Sequence, residues 1–258
     1  MTETQGKIRL DVRDQVAVLT LHRPAKLNAI TPQMTDQLTG HIAALNGDPQ
    51  VRAAVLTGAG RAFCAGSDIG GLAGYDSAVQ FGRRPDYCDA IHTLAKPVIA
   101  AINGPALGGG LELALGCDIR LAAGSATFTA PEIKLGWIGG GGMSALLAHS
   151  IGTSNAALML LTGDPVDAAT ALRWGLVTEV LPAADLTGRA MQLATVIASR
   201  APIAAQAAKR NLRAAFEMPL GRAIDYERQL QTICFATEDA AEGRAAFAER
   251  RAAVFHGR

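Results

Sequence analysis

Two glutamates, Glu112 in "GGLELA" and Glu132 in "TAPEIKLG", stand among apolar residues at positions twenty residues apart. An ionised carboxylate is costly in apolar surroundings unless it is paired, so each glutamate alone is interpreted first as bound to an arginine or to a backbone amide. Two such carboxylates in one pocket have a second use, because one can hold a proton while the other accepts one. Glu112 and Glu132 are therefore candidate acid/base residues.

Two glycine-rich stretches offer backbone N–H groups near these carboxylates. "CAGSDIGG" (64–71) follows a predicted strand, and "LGGGLE" (107–112) leads into a predicted helix. Gly109 would lie at that helix N-terminus, where unpaired N–H groups favour developing negative charge. If the two stretches converge, they form an oxyanion hole for a carbonyl oxygen, in which each donor contributes roughly 2.7–4 kcal/mol.

Other functions of the first stretch fit its residues poorly. The preceding "GAG" begins like a dinucleotide-binding fingerprint, but Phe63 occupies the position of the third glycine. A serine nucleophile at Ser67 would need glycine at position 65, which is Ala65. The remaining interpretations are an irregular loop or a loop whose N–H groups point at a ligand.

The elements that position these residues alternate between strand and helix. A β-hairpin is predicted for residues 7–24 with its turn at Asp14 and Gln15, and Thr31 is predicted to cap a helix that starts at Pro32. "VRAAVLTGAG", "KPVIAAING" and "DIRLAAGSATFTAPE" predict further strands. This alternation predicts an α/β fold with partly parallel pairing. After about Pro165 we expect the strands to stop and amphipathic helices to follow one another.

Composition narrows the function classes. The chain has 258 residues, a formal net charge of +1 and a mean hydropathy of +0.19. A net charge this small creates no overall electrostatic attraction to nucleic acid or to an anionic membrane, so neither partner is expected. The longest apolar stretch is interrupted by glycines and Glu112, so it does not predict a membrane-spanning helix. The four cysteines form no CxxC pair, and no His/Cys cluster has metal-ligand spacing. With no apolar signal segment in the first fifteen residues, we expect reduced cysteines, no metal and a cytoplasmic location.

Five segments in order make the chain resemble the enoyl-CoA hydratase/isomerase (crotonase) superfamily. They are "HRPAKLNAI", "GAGRAFCAGSDI", "KPVIAAINGPALGGGLELALGCDIRLA", "FTAPEIKLG" and "TGDPVDAATALRWGLVTEV". The resemblance implies a crotonase-type ββα spiral core over residues 1–195 and a C-terminal helical trimerisation region over 196–258. It also implies a homotrimer, or a hexamer made of two trimers.

The resemblance also implies roles for individual residues. The backbone N–H groups of Ser67 and Gly109 would hold the thioester oxygen of an acyl-CoA. Glu112 would activate water and Glu132 would protonate Cα, which makes the chain most similar to an enoyl-CoA hydratase that converts a trans-2-enoyl-CoA into a 3-hydroxyacyl-CoA. The thioester itself would be the electron sink, so no cofactor is expected beyond the coenzyme A of the substrate.

Coenzyme A binding is implied at two places in the sequence. The first is formed by Ala25, Lys26 and the loop from Ala65 through Ser67 and Asp68 to Ile69, and the second is Arg250 of a neighbouring subunit. Lys26 equally fits a solvated surface lysine, and Arg250 equally fits an exposed helix-end charge.

The chain departs from the family pattern after Glu132. "GWIGGGGMSAL" has Gly139 where the family usually has proline, and it brings Trp137 close to the second acid. Trp137 either packs in the core or shapes the acyl pocket. The resemblance implies that residues 75–88, where the family varies, help to select the acyl tail. Three alternatives remain: a Δ3,Δ2-enoyl-CoA isomerase, another reaction of a CoA thioester on the same scaffold, and a non-catalytic protein that binds acyl-CoA or RNA.

Overall fold

In the computed structural model, which describes residues 6–72 and 74–258, nine β-strands form two sheets. The strands are β1 (Lys7–Arg13), β2 (Val16–His22), β3 (Ala53–Gly58), β4 (Val98–Ile102), β5 (Ala106–Leu107), β6 (Ile119–Ala123), β7 (Thr127–Thr129), β8 (Val166–Asp167) and β9 (Glu179–Leu181). The larger sheet has the order β1-β2-β3-β4-β6-β9, and the smaller one has the order β5-β7-β8. From β2 to β9 every pair in the larger sheet is parallel.

Eleven α-helices lie between and after these strands in the described residues. They are α1 (Pro32–Gly47), α2 (Ile69–Leu72), α3 (Ala78–Gly82), α4 (Tyr87–Thr93), α5 (Gly109–Leu115), α6 (Met143–Thr162), α7 (Ala168–Trp174), α8 (Ala183–Ala198), α9 (Pro202–Ala214), α10 (Leu220–Phe235) and α11 (Glu238–Glu249). Short 3₁₀ helices cover Pro24–Lys26 and Pro131–Leu135. The predicted α/β fold with parallel pairing and a helical C-terminal region is confirmed.

The N-terminal elements form as their sequence predicts. β1 pairs antiparallel with β2, and the hairpin turn places Asp14 and Gln15 at φ 48° and 67°, which is the backbone that a twisted two-residue hairpin favours. The Thr31 side chain accepts a hydrogen bond from the N–H of Met34 at 3.2 Å, so α1 begins with a side-chain cap and Pro32.

The expectation that strands stop after about Pro165 is wrong. β8 pairs antiparallel with β7, and β9 pairs in parallel with β6 at the edge of the larger sheet. Strands of two or three residues are too short to show alternating hydrophobicity, so a sequence pattern does not reveal them. The long helix α6 is also absent from the predicted elements, because its apolar residues do not lie on one face and Gly152 interrupts it with non-helical φ and ψ of 76° and 159°.

The helix α6 is long and apolar enough, by length and composition, to meet the criteria for a membrane span, with a mean hydropathy of 1.2. Helices of water-soluble domains meet the same criteria, and the interruption at Gly152 divides α6 into two shorter segments. This single helix is weak support for a membrane contact.

Alternating side chains bury both faces of the larger sheet. On β3, Leu56 packs in the cluster that contains Met34 of α1, whereas Val55 packs in the cluster that contains Leu186 of α8. The helix α8 lies against β2, β3, β4 and β6 along most of its length. The predicted domain boundary at residue 195 falls inside α8, which ends at Ala198, and the division of the chain into domains stays a prediction.

A buried ion pair ties the C-terminal helices to the sheet. The Nζ of Lys209 on α9 lies 2.8 Å from Oδ2 of Asp118 and donates to the carbonyl oxygen of Lys96 at 2.8 Å. Asp118 immediately precedes β6, and its carboxylate also accepts from the N–H of Val98 at the start of β4 at 2.8 Å. Burial lowers the pKa of Lys209, and the nearby Asp118 carboxylate opposes this shift.

Replacing Lys209 with methionine keeps the apolar stem and removes the buried positive charge. We expect Lys209→Met to lower the free energy of unfolding by about 3 kcal/mol, the low end of what breaking a buried ion pair costs, because Asp118 keeps its bond from Val98. Urea unfolding at fixed protein concentration measures the change. Arg228→Met, which removes an exposed pair with Asp225 on α10, is the matched control and should change stability by about 0–1 kcal/mol. Equal losses in the two variants would contradict the anchoring role of Lys209.

Candidate active site

A close backbone approach brings the two glycine-rich stretches together. Gly66 has a φ of 82°, and a Cβ added to it would lie 2.9 Å from the amide nitrogen of Gly109. The stretches are also joined where the N–H of Leu107 donates to the carbonyl oxygen of Cys64 at 2.9 Å. Only glycine satisfies both the left-handed φ and the lack of space at position 66. The predicted convergence of the two stretches is confirmed.

The candidate oxyanion donors lie on either side of this approach. Within the described residues, neither the N–H of Ser67 nor that of Gly109 donates a hydrogen bond, while their neighbours Gly66 and Gly108 do. Gly109 is the first residue of α5, so its N–H has no acceptor within the helix. These two amides can therefore donate to an oxygen atom that enters the site.

Glu112 is buried, and its carboxylate is held by the glycine turn, residues 139–142, which follows the 3₁₀ helix Pro131–Leu135. Its Oε1 accepts from the N–H of Gly141 at 2.7 Å and from that of Met143 at 3.2 Å, and the Cys88 thiol lies 3.9 Å from Oε2. Burial raises the pKa of Glu112, and the two backbone N–H groups oppose this shift because they stabilise the ionised form. The turn needs glycine at position 139, where an added Cβ would lie 2.7 Å from Oε1 of Glu112.

Glu132 has different surroundings. Its Oε2 is buried without a hydrogen-bond partner in the described part of the chain, and burial raises its pKa. Its Oε1 lies against the backbone of Gly108, where an added Cβ would be 2.6 Å away. The charge of Glu132 also contributes to the raised pKa of Glu112, so the two carboxylates are electrostatic neighbours. Glu112 is thus the carboxylate with backbone donors from the glycine turn, whereas Oε2 of Glu132 has no donor among the described residues.

One cavity of about 150 Å³ brings most of the predicted site residues together. Its walls include Glu112, Glu132, Gly109 and the loop residues Ala65, Ser67 and Ile69, together with Trp137. Because Trp137 is 40 % exposed and lines this cavity, its interpretation as a core residue is wrong.

The other predicted binding residues lie outside this cavity. Asp68 lines an adjoining depression, and its carboxylate is 2.8 Å from Nη1 of Arg23. Ala25 and Lys26 are exposed on the 3₁₀ helix beside the loop, which is attached there by a hydrogen bond from the N–H of Ala65 to the carbonyl oxygen of Leu27 at 2.9 Å. Arg250 is exposed at the end of α11 and does not reach the cavity of its own chain.

The resemblance implied that residues 75–88 help to select the acyl tail, but sequence reasoning gave no role to Arg84, Asp86 or Tyr87 individually. The Tyr87 hydroxyl lies 3.0 Å from Oγ of Ser67 and, with Arg84 and Asp86, lines the cavity. Burial raises the pKa of Tyr87 well above its usual range, so its hydroxyl stays protonated. The only local signal is Asp86, whose side chain caps α4 by accepting from the N–H of Cys88 at 2.8 Å. A cap predicts where a helix starts but not which cavity its first turn lines.

The tight packing at Gly109 can be tested through stability. A Cβ at this position would overlap the hydroxyl of Tyr87, so we expect Gly109→Ala to cost about 1–3 kcal/mol of unfolding free energy. Gly40→Ala is the matched control, because no atom lies within 4 Å of the added Cβ in α1, and alanine there should stabilise the helix by up to about 1 kcal/mol. Urea unfolding of both variants measures the difference. A neutral Gly109→Ala would show that the Tyr87 ring can move aside.

Comparisons with known proteins agree with this geometry. The sequence model of the enoyl-CoA hydratase/isomerase family matches residues 11–258. A probable enoyl-CoA hydratase of Mycobacterium tuberculosis is 44 % identical over 247 residues, which cover 94 % of this chain and 95 % of the relative. The 2,3-dehydroadipyl-CoA hydratase of Escherichia coli is 42 % identical over 248 residues, which cover 95 % and 97 % of the two chains.

A solved structure confirms the predicted crotonase-type fold. The crystal structure of an enoyl-CoA hydratase from Bacillus anthracis superposes with a TM-score of 0.93 at 34 % identity, covering 97 % of this chain and 99 % of that one. The match extends over both the sheets and the C-terminal helices. The family match, the relatives and this superposition together show that the chain belongs to the enoyl-CoA hydratase/isomerase family.

Proposed function

We propose that the protein is an enoyl-CoA hydratase, a hydro-lyase that adds water reversibly across a trans-2-enoyl-CoA to give a 3-hydroxyacyl-CoA. The observation that carries this proposal is that two carboxylates, the buried Glu112 and the half-buried Glu132, share one cavity with two backbone N–H groups that donate no hydrogen bond within the described residues. An isomerase of this family generally uses a single acid, at the position of Glu132. The retained and hydrogen-bonded Glu112 therefore favours hydration.

The N–H groups of Ser67 and Gly109 bind the thioester oxygen. Water addition at Cβ moves electron density onto this oxygen, and the two amides are already oriented to receive it, so little reorganisation is needed. The Tyr87 hydroxyl fixes the Ser67 side chain 3.0 Å away and thereby helps to hold the loop that carries one of the two donors.

The two glutamates divide the proton transfers. Glu112, stabilised as a carboxylate by the N–H groups of Gly141 and Met143, orients the water and accepts its proton as the oxygen bonds to Cβ. Glu132 is half-buried, its Oε2 has no partner among the described residues and burial raises its pKa, so we assign it as the acid that donates a proton to Cα. Dehydration runs the same steps in reverse.

Coenzyme A is part of the substrate, and we place it along Ala25, Lys26 and the loop from Ala65 to Ile69. The exposed position of Lys26 beside this loop supports a contact with a phosphate group. Arg250 would contact the coenzyme A of a neighbouring subunit in a homotrimer or a dimer of trimers. Support for this assembly comes from the apolar side chains that the C-terminal helices expose, among them Phe235 and Phe247, which are 66 % and 87 % exposed in the single chain.

Removal of either carboxyl function tests the assignment. We expect Glu112→Gln and Glu132→Gln each to lower kcat for crotonyl-CoA by about 10²- to 10⁴-fold, the usual contribution of a general acid or base. The loss of the conjugated enoyl-thioester absorbance measures the rate. Glu217→Gln, an exposed glutamate outside the cavity, is the control and should keep the wild-type rate. Wild-type rates in both cavity variants would contradict the two-acid mechanism, and a shifted double bond without incorporated water would indicate an isomerase.

The pH dependence of the reaction follows from the raised pKa values. Activity should fall at low pH as Glu112 becomes protonated, and it should fall at high pH as Glu132 becomes ionised. Burial raises both pKa values, so both limbs of the kcat/KM profile should lie above the ordinary range of a glutamate. The profile of the wild type measures this, and Glu132→Gln should lose the alkaline limb. An acid limb at the pKa of an exposed glutamate would contradict the burial of the base.

A further inference from the structure

The cavity contains a cation that the hydration chemistry does not use. Arg84 lies between α3 and α4 and lines the cavity next to the glycine turn. Its Nη2 would be 3.9 Å from a Cβ added to Gly140. Trp137 and Ile138 line the same cavity, and Arg84 also lines the adjoining depression together with Ser67 and Asp68. A guanidinium in the cavity that holds the two carboxylates is within reach of the acyl group of a thioester bound there.

Three contacts fix the Arg84 side chain in this position. Its guanidinium stacks over the ring of Phe81 with the carbon 3.9 Å from the ring centre, and Nη1 donates to the Phe81 carbonyl oxygen at 2.9 Å. Nη2 donates to Oδ2 of Asp86 at 3.2 Å, and Asp86 is itself fixed as the cap of α4. The Arg84 side chain is 21 % exposed, so it is an oriented group rather than a mobile surface charge.

These contacts leave some N–H donors of the Arg84 guanidinium available to bind a ligand. An arginine has five N–H donors in a planar fork that matches a carboxylate, and within the described residues Arg84 uses one on each of its two Nη atoms. The Asp86 carboxylate balances part of the positive charge of Arg84, but among the donors of Arg84 it accepts only from Nη2. A purely hydrocarbon tail would desolvate the remaining donors without replacing their hydrogen bonds, which is unfavourable.

We propose that the acyl pocket binds short-chain enoyl-CoA substrates whose tail ends in a carboxylate, and that Arg84 binds this carboxylate. The inference rests on the proposed hydratase function and adds the substrate class. The apolar side chains of Leu135 and Ile138 contact the methylene groups between the double bond and the carboxylate. Gly140 lies beside Arg84, and its neighbours Gly139 and Gly141 border the Glu112 carboxylate. Arg84 is therefore close to the group that activates the water, and the acyl tail that reaches it is short.

The test compares two substrates that differ only in terminal charge. One is a short trans-2-enoyl-CoA that ends in a carboxylate, and the other is the methyl ester of the same acyl group. We expect wild type to prefer the carboxylate in kcat/KM, and we expect Arg84→Gln to lower kcat/KM for the carboxylate about 10- to 100-fold, the usual contribution of a charge-assisted hydrogen bond. The rate with the ester should stay within about twofold of wild type, which also shows that the variant is folded.

Two further variants sharpen the assignment. Arg83→Gln removes the exposed neighbouring cation, which does not line the cavity, and should leave both rates unchanged. Arg84→Lys keeps the charge but loses the planar fork, so it should recover only part of the preference for the carboxylate.

The outcomes separate this inference from the proposed function. A wild type that hydrates the ester as well as the carboxylate, or an Arg84→Gln variant that loses equal activity on both, would overturn the carboxylate site and leave Arg84 as a structural partner of Asp86. A wild type that hydrates neither substrate nor crotonyl-CoA would instead overturn the hydratase function itself.

Discussion

The active site depends on the contact between the backbones of Gly66 and Gly109. Gly66 lies in the loop that follows β3, Gly109 is the first residue of α5, and neither has a side chain that could separate them. This contact sets the two unused N–H groups on neighbouring segments so that both face the same cavity. A methyl group at Gly66 would meet the Gly109 amide, and one at Gly109 would overlap the Tyr87 hydroxyl, so a larger residue at either point requires its neighbours to move.

The two carboxylates differ because different elements surround them. Glu112 projects from the buried helix α5 into a turn whose backbone N–H groups favour its ionised form, whereas Glu132 lies on a 3₁₀ helix with one oxygen lacking such donors in the described residues. Burial raises the pKa of both side chains, and in Glu112 the N–H groups of the glycine turn oppose this shift, so the two carboxylates have different environments, as acid/base catalysis by a pair of carboxylates requires. The glycine turn that binds Glu112 also lines the cavity, through Gly139 and Gly140, so the position of this carboxylate and the shape of the cavity depend on the same segment.

The long connection between β3 and β4 contributes several residues to the cavity. It carries Ser67 near its start and Arg84, Asp86 and Tyr87 further along, whereas Gly109 and Glu112 belong to the buried helix α5. Because the Tyr87 hydroxyl lies 3.0 Å from Oγ of Ser67, a change around α4 is also felt by the loop that carries Ser67. The buried Lys209–Asp118 pair joins the C-terminal helices to the same sheet that supports these elements.

The α/β fold, the family, the capped helix α1, and the two glutamates and two glycine-rich stretches of the cavity could be predicted from the amino-acid sequence. These features depend on local patterns: alternating hydrophobicity, a cap followed by proline, and glycines at fixed positions beside Glu112. The extension of the sheets by β8 and β9 is evident only in the folded chain, because strands of two or three residues are defined by their partners rather than by their own pattern. The folded chain also shows that Trp137 lines the cavity and that Arg84 and Tyr87 join it. The reason is that the burial and direction of a side chain depend on contacts with segments that are distant in sequence.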